Sequence, residues 1–139
     1  MPKRYRLFGT TADVGVTSRG RDMKEAFENQ AAGMFSIMAD LRTMKAVEEY
    51  VVEAEGSDNE TLLVAWLNEL LFIYSTKNMF LKKFEITRLD GFRLKSRVWG
   101  EEADPSRHVV KTEVKAVTYH MLLVSETPEG VETRVVYDI

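Results

Sequence analysis

Two aspartates near opposite ends of the chain are the first candidates for chemistry. Asp13 lies in a glycine-bounded turn, and Asp138 precedes Ile139, the last residue of an alternating strand pattern over 131–139. Because undocked termini fray, a strand that stops on an apolar residue is expected to be docked. Docking would hold the α-carboxylate of Ile139 close to the Asp138 carboxylate, and like charges that close repel each other unless a cation neutralises them.

Carboxylates in a fixed place would suit a hard cation such as Ca²⁺ or Mg²⁺, which prefers oxygen ligands. Asp13 would supply a third carboxylate if the two ends of the chain meet. The alternative is that Asp13 caps a turn, as aspartate commonly does, while Asp138 lies in solvent. Spacing alone favours that alternative, and both interpretations stay open at this point.

A lysine in another strand pattern is the second candidate. Residues 113–120 alternate so that Glu113, Lys115, Val117 and Tyr119 share one face. A lysine directed into an acidic site could hold a phosphate or tune a carboxylate. More often such a lysine is solvated or forms a surface ion pair that contributes little to stability.

A basic stripe is the third candidate. Arg93, Lys95 and Arg97 share one face of a predicted strand, with Trp99 next in line. The stripe could contact phosphates with an aromatic ring for stacking, or it could meet an acidic partner. A solvated sheet face is the more common use of such a pattern. The two histidines offer neither a metal-ligand spacing nor a nucleophile–base pair.

Hydrophobic periodicity predicts the elements that position these residues. Two amphipathic helices are expected, one over 22–41 and one over 57–78, each opened by a capping box, Asp22 with Glu25 and Ser57 with Glu60. Strands are expected over 5–8, 14–18, 48–55, 80–89, 92–99, 112–125 and 131–139, with a hairpin turn at 90–91. This order indicates a single α+β domain over 1–139, with two helices packed against mixed sheets.

Composition bounds the class of protein. The chain has 139 residues, 45% hydrophobic and 29% charged, as in ordinary soluble domains, and it lacks the cysteines that disulfides and thiolate sites need. Its net charge is −3, whereas general nucleic-acid binders are strongly basic, so any RNA contact is expected to be indirect. No apolar run suits a signal peptide or a membrane span, so a cytoplasmic protein without a membrane partner is expected.

Segments over essentially the whole chain resemble those of the archease family. They are TADVGV (11–16), EAF (25–27), MFSIMAD (34–40), LL (62–63), WLNELL (66–71), WGE (99–101), EVKAVTY (113–119) and the terminal DI (138–139). Their order, spacing and shared terminus make the resemblance specific. One position departs from it: Thr10 stands where the family usually has histidine, which leaves open a site built from oxygen ligands alone.

The resemblance implies an accessory protein rather than an enzyme. Its expected role is to activate an RtcB-type RNA ligase in tRNA splicing, by promoting guanylylation of the ligase and multiple turnover. It also implies a divalent-metal site, with calcium expected and magnesium or manganese as alternatives. Carried onto this chain, the ligands are Asp13, Asp138 and Ile139, while Asp40 and Lys115 fall in family motifs at the same acidic site.

Two other functions stay open at this point. One is a chaperone-like modulator of the specificity of a tRNA cytosine methyltransferase, with a purely structural metal site. The other is a stand-alone metal-dependent hydrolase of phosphate esters. That enzyme would need a general base near the metal, and the sequence shows no convincing one.

Overall fold

The computed structural model describes residues 4–9 and 12–139. In that part of the chain, two helices, α1 (Met23–Met38) and α2 (Asn59–Lys77), accompany eight strands. The strands are β1 (Tyr5–Gly9), β2 (Asp13–Gly20), β3 (Glu48–Glu55), β4 (Met79–Asp90), β5 (Arg93–Glu102), β6 (Ala116–Val117), β7 (Leu123–Thr127) and β8 (Gly130–Asp138). A short 3₁₀ helix, Leu41–Thr43, follows α1.

A five-stranded antiparallel sheet brings the two ends of the chain together. β8 lies at its centre, with β2 on one side and β6 and β7 on the other, and β1 pairs with the free edge of β2. The inward face predicted for β8 is confirmed, because Val131, Thr133, Val135 and Tyr137 are all buried, although Val136 on the other face is buried as well. β2 and β8 pack against α1, which is why this last strand is held in the core.

The other sheet has three antiparallel strands in the order β3, β5, β4. β4 and β5 form the predicted hairpin, but the expected turn at Asp90 and Gly91 is wrong by one residue. Asp90 pairs with Arg93 in the ladder, so the turn residues are Gly91 and Phe92, with φ of 55° and 58°. Two positive φ angles are what a turn matched to the twist of the flanking strands requires.

Helix α1 begins as predicted and ends early. The Asp22 carboxylate accepts the Glu25 N–H at 2.9 Å, which confirms the cap. The reciprocal half of the box is absent there, since the Glu25 carboxylate accepts the Arg21 N–H instead. The helix ends at Met38 rather than near residue 41, because Ala39 is extended and bridges to a later segment.

Helix α2 has a complete capping box one residue later than predicted. Asp58, rather than Ser57, is the N-cap, and its carboxylate accepts the Thr61 N–H at 2.8 Å. The Thr61 hydroxyl accepts the Asp58 N–H in return, so Thr61 takes the place expected for Glu60. The aspartate side chain reaches the N3 amide in this register, and both caps satisfy donors that a helix start leaves free.

The segment between β5 and β7 differs most from expectation. The sequence pattern predicts one strand over 112–125, but only the short β6 and then β7 form. Instead, the N–H groups of Lys111 and Thr112 donate to the carbonyls of Met38 and Ile37 at 2.8 and 3.2 Å. Carbonyls at a helix end have no partner within the helix, so this stretch is irregular because it caps α1.

The helices join the two sheets around one core. α1 packs on β2 and β8 of one sheet and on β4 of the other, while α2 packs mainly on β3. A single α+β domain with two packed helices is therefore confirmed, although all pairings of the described strands are antiparallel rather than mixed. Neither described helix is long and apolar enough to cross a membrane.

A buried polar network ties β8 to α1. The Tyr137 hydroxyl donates to Gln30 Oε1 at 2.8 Å. The Gln30 amide donates to Thr133 Oγ1 at 2.7 Å and to the Val16 carbonyl at 3.0 Å, and Thr133 shares a hydrogen bond with Ser18. These polar side chains are buried, so each needs its partner, because water cannot replace it.

Replacing Tyr137 with phenylalanine tests this network. The variant Tyr137→Phe leaves Gln30 Oε1 without its donor in the interior, so the free energy of unfolding should fall by about 1–3 kcal/mol. Urea denaturation measures the change. Tyr119→Phe, at a position that is 65% exposed, is the matched control and should shift stability by less than about 0.5 kcal/mol. Equal stability of the two variants would contradict the role of the network.

Candidate functional site

Asp13 and Asp138 lie directly opposite each other in the sheet. In the antiparallel pairing of β2 with β8, Asp13 begins β2 and its partner is Asp138, the last residue of β8. Residues directly opposite in such a pair project from the same face. Their neighbours Val14 and Tyr137 pack into the core, so the two carboxylates lie on the outer face of the sheet.

Backbone hydrogen bonds indicate how close the two aspartates are. The Asp138 carbonyl accepts the N–H of Lys115 at 2.8 Å, on the β6 side of the strand. The Val136 carbonyl accepts the Thr118 N–H on the same side at 3.1 Å. The polar backbone groups of Asp138 therefore point away from β2, and its pair with Asp13 has no mutual hydrogen bonds. Such pairs have Cα atoms only about 4.5 Å apart.

β6 and the core hold the other sides of Asp138. Ala116 is its partner in β6, so Asp138 is paired on both edges although it ends its strand. Ile139 packs partly against the core, as the apolar end of the pattern predicts. We call Asp13, Asp138 and Ile139 the acidic edge.

The main chain of Lys115 reaches the acidic edge, while its side chain lines a neighbouring surface. Residues 113–115 are not in a strand, so the predicted strand is wrong there, although Glu113 and Lys115 are exposed on either side of buried Val114 as predicted. Lys115 and Glu113 line a cavity of about 340 Å³ beside Phe72 of α2. Among the described residues, the Lys115 ammonium forms no salt bridge.

Asp40 belongs to a different local structure. It caps the 3₁₀ helix, where its Oδ1 accepts the Arg42 N–H at 3.0 Å and its Oδ2 pairs with the Arg42 guanidinium at 2.8 Å. Hydrogen bonds from Arg42 lower the pKa of Asp40 to about 2. Both carboxylate oxygens are engaged by Arg42, and none of the described hydrogen bonds or salt bridges joins Asp40 to the acidic edge.

The acidic edge fits a hard cation by donor type. Carboxylate oxygens are the ligands that Ca²⁺ and Mg²⁺ prefer. Within the described ranges, no group of three or more His, Cys, Asp or Glu side chains is placed to hold an ion. The aspartate pair would therefore need the Ile139 α-carboxylate and water to approach the roughly six to eight oxygens that Ca²⁺ takes. Thr10 lies outside the described residues.

Acidic neighbours neutralise much of the basic stripe on β5. Arg93 pairs with Glu55 at 3.1 Å, and Arg97 pairs with Glu49. Arg97 also lies over the ring of Trp99, 5.0 Å from its centroid. Because these cations already have partners on β3, the pairing favours a solvated sheet face over a stripe that binds phosphate.

His108 has a defined role that the sequence did not indicate. Its side chain is enclosed, and Nε2 lies 2.9 Å from Glu101 Oε2. The ring also meets Phe80 edge-on, with centroids 5.2 Å apart. A histidine shortly after the WGE segment was the available signal, but the pairing depends on how the intervening loop folds. His120, in contrast, lies in an exposed turn.

Known proteins are similar to this chain over nearly its whole length. The chain matches the Archease protein family (MTH1598/TM1083) over residues 5–139. It is 36% identical over 137 residues to Protein archease of Sulfolobus acidocaldarius, covering 98% of this chain and 99% of that protein. Protein archease of Danio rerio is 39% identical over 140 residues, covering 99% and 86%.

A solved structure is similar in its three-dimensional fold as well. The solution structure of Methanobacterium thermoautotrophicum protein 1598 aligns with a TM-score of 0.83 and 36% identity, covering 98% of this chain and 99% of that one. Fold and site together define a small α+β domain with a paired-carboxylate edge. The chain belongs to the archease family. This confirms the resemblance of the sequence segments and supports an accessory protein.

Removing one charge of the acidic edge should stabilise the domain when no metal is present. Asp138→Asn keeps the side-chain shape and ends the repulsion with Asp13, so we expect a gain of about 0.2–1 kcal/mol. Calorimetry in chelator at low ionic strength measures it. Glu132→Gln is the control on the same strand and face, where Glu132 lies opposite Arg19, and it should give no gain. A less stable Asp138→Asn would count against mutual repulsion.

Proposed function

We propose that this chain is an accessory protein that activates an RtcB-type RNA ligase in tRNA splicing. It would promote guanylylation of the ligase's active-site histidine and thereby allow multiple turnovers. The acidic edge would bind a divalent cation through Asp13, Asp138 and the α-carboxylate of Ile139. Calcium is the first candidate, because the donors are all oxygens.

The observation that carries this proposal is the direct opposition of Asp13 and Asp138. Like charges directly opposite in a sheet are destabilising. A bound cation would offset the repulsion between the two carboxylates, so a cation-binding site accounts for their position. Membership of the archease family supports the accessory role that the ion would serve.

The chain's own contribution would be to hold its carboxylates ready. A bound cation would supply positive charge near the phosphates of GTP, where phosphoryl and nucleotidyl transfer needs it. β2 and β6 hold Asp138 from both edges, and Ile139 packs on the core. Ligands fixed in this way lose little conformational entropy when they bind an ion or a partner.

The charge distribution supports contact with RNA through the ligase. The net charge of −3 opposes direct binding of a polyanion. The basic stripe that could have offset it pairs Arg93 and Arg97 with glutamates. A ligase that supplies its own RNA-binding surface fits these observations better than an accessory protein that binds RNA itself.

A multiple-turnover RNA ligation assay tests the proposal. A cognate RtcB-type ligase is assayed with GTP, with and without a substoichiometric amount of this protein. Wild-type protein should increase the product formed per ligase, and Asp138→Ala and Asp13→Asn should abolish the increase, because each removes an essential carboxylate. Labelled GTP measures guanylylation of the ligase separately.

Glu132→Gln is the matched control for this assay. It removes a carboxylate from the same strand and face without touching the acidic edge, so it should stimulate like the wild type. Circular dichroism establishes that every variant is folded. Full stimulation of the ligase by Asp138→Ala would refute the proposed role of a bound metal ion. If the wild-type protein fails to stimulate the ligase but binds a tRNA methyltransferase in a pull-down from cell extract, the specificity-modulator alternative is favoured.

A further inference from the structure

A partly buried ionic cluster lies at the end of β5, with Glu101 and His108 buried and Arg107 exposed. Glu101 is 9% exposed, and its carboxylate accepts His108 Nε2 at 2.9 Å and the Lys45 N–H at 2.7 Å, while it also pairs with Arg107. Burial raises the pKa of Glu101, but hydrogen bonds from Arg107 and His108 outweigh it and lower the pKa to about 2. We call Glu101, Arg107 and His108 the Glu101 clasp.

Neighbouring groups fix the tautomer of His108. Its Nδ1 accepts the Asp104 N–H at 2.8 Å, so Nε2 carries the proton and donates it to Glu101. The Asp104 carbonyl accepts the N–H groups of Arg107 and His108 at 3.0 and 2.8 Å. Both ring nitrogens and the backbone turn therefore hold the loop over 104–108 in one conformation.

The chain that leaves the clasp follows the end of α1. The Val109 carbonyl accepts the Asp40 N–H at 2.9 Å, and the Lys111 N–H donates to the Met38 carbonyl at 2.8 Å. The Val109 and Val110 side chains are exposed, at 54% and 52%. Since they bury little apolar surface, backbone hydrogen bonds and the clasp are what fix this stretch.

The same segment ends at the acidic edge. Val114 is buried, the Lys115 N–H donates to the Asp138 carbonyl, and Ala116 pairs with Asp138. β6 has only two residues, so it has little pairing energy of its own. Thr118 fixes the far end of β6, because its N–H and hydroxyl both donate to the Val136 carbonyl, at 3.1 and 2.8 Å. The preceding segment fixes the near end, where β6 meets Asp138.

We propose that the Glu101 clasp is a positioning device for the acidic edge. By fixing residues 109–115 it sets the pairing of β6 with Asp138 and so the direction of that carboxylate. The inference rests on the proposed function, since it concerns the cation site assigned there. Glu101 and His108 would act through the backbone without contacting the ion. In known metal sites, mutating residues that support the ligands in this indirect way lowers metal affinity about 10–100-fold.

The test combines amide exchange with calcium titration. In His108→Ala, the amides of Lys111, Thr112 and Lys115 should exchange with solvent about tenfold faster or more. Arg107→Ala is the milder variant, used if His108→Ala folds poorly, and it should raise exchange at the same amides by less. Affinity for CaCl₂, measured calorimetrically, should fall about tenfold. Amides of the β3–β5 ladder should keep their protection.

Ser96→Ala is the matched destabilising control. The Ser96 hydroxyl is buried, accepts from Trp66 Nε1 at 2.9 Å and donates to the Val52 carbonyl at 2.9 Å. Its loss should weaken the three-stranded sheet without loosening residues 109–115 selectively. Unchanged exchange in the clasp variants, or faster exchange spread evenly through the domain, overturns the inference.

The calcium result separates this inference from the function on which it rests. If the wild type binds Ca²⁺ and the clasp variants bind it equally well, the positioning role is refuted and the metal site stands. If the wild type binds no Ca²⁺, the metal site is refuted and the positioning role falls with it. Selective exchange together with weaker binding supports both.

Discussion

The register of β2 against β8 is the constraint on which the rest of the structure depends. Eight residue pairs run from Asp13 with Asp138 to Gly20 with Val131. A slip of one residue would send the two aspartates to opposite faces. It would also part Ser18 from Thr133, whose hydroxyls share a buried hydrogen bond. Orphaned buried polar groups destabilise a fold strongly, so the interior fixes the register that the acidic edge needs.

The buried side chains of β8 and its paired aspartate contribute to stability with opposite signs. On the inner face, Val135 and Tyr137 are fully buried against the core, and apolar burial of this kind is the main favourable contribution to folding. On the outer face, Asp13 and Asp138 oppose each other and neither forms a salt bridge with a described residue, which is unfavourable. The fold tolerates the repulsion between the aspartates because the favourable free energy of apolar burial is much larger. A functional site can therefore be held at an unfavourable charge spacing by a strand that the core stabilises.

The irregular segment after β5 links the two sheets. It starts after Glu102, where β5 of the three-stranded sheet ends, and reaches β8 of the other sheet at Lys115. Between them it supplies donors to the carbonyls that end α1, so its hydrogen bonds go to helix and strand ends rather than to a ladder. A regular strand could not satisfy these different partners, and this explains why alternation in the sequence does not become a strand there.

Local patterns in the sequence determined the two helices, most strands and the hairpin, because periodicity and capping reflect neighbours along the chain. They also singled out Asp13, Asp138 and Ile139, and the family resemblance that the comparisons confirm. They misplaced the cap at Ser57, the turn at Asp90 and the strand over 112–125. Only tertiary structure decided that Asp13 lies opposite Asp138 and that His108 is buried against Glu101. The first depends on the register between strands from opposite ends of the chain, and the second on the path of the loop after β5, and local spacing encodes neither.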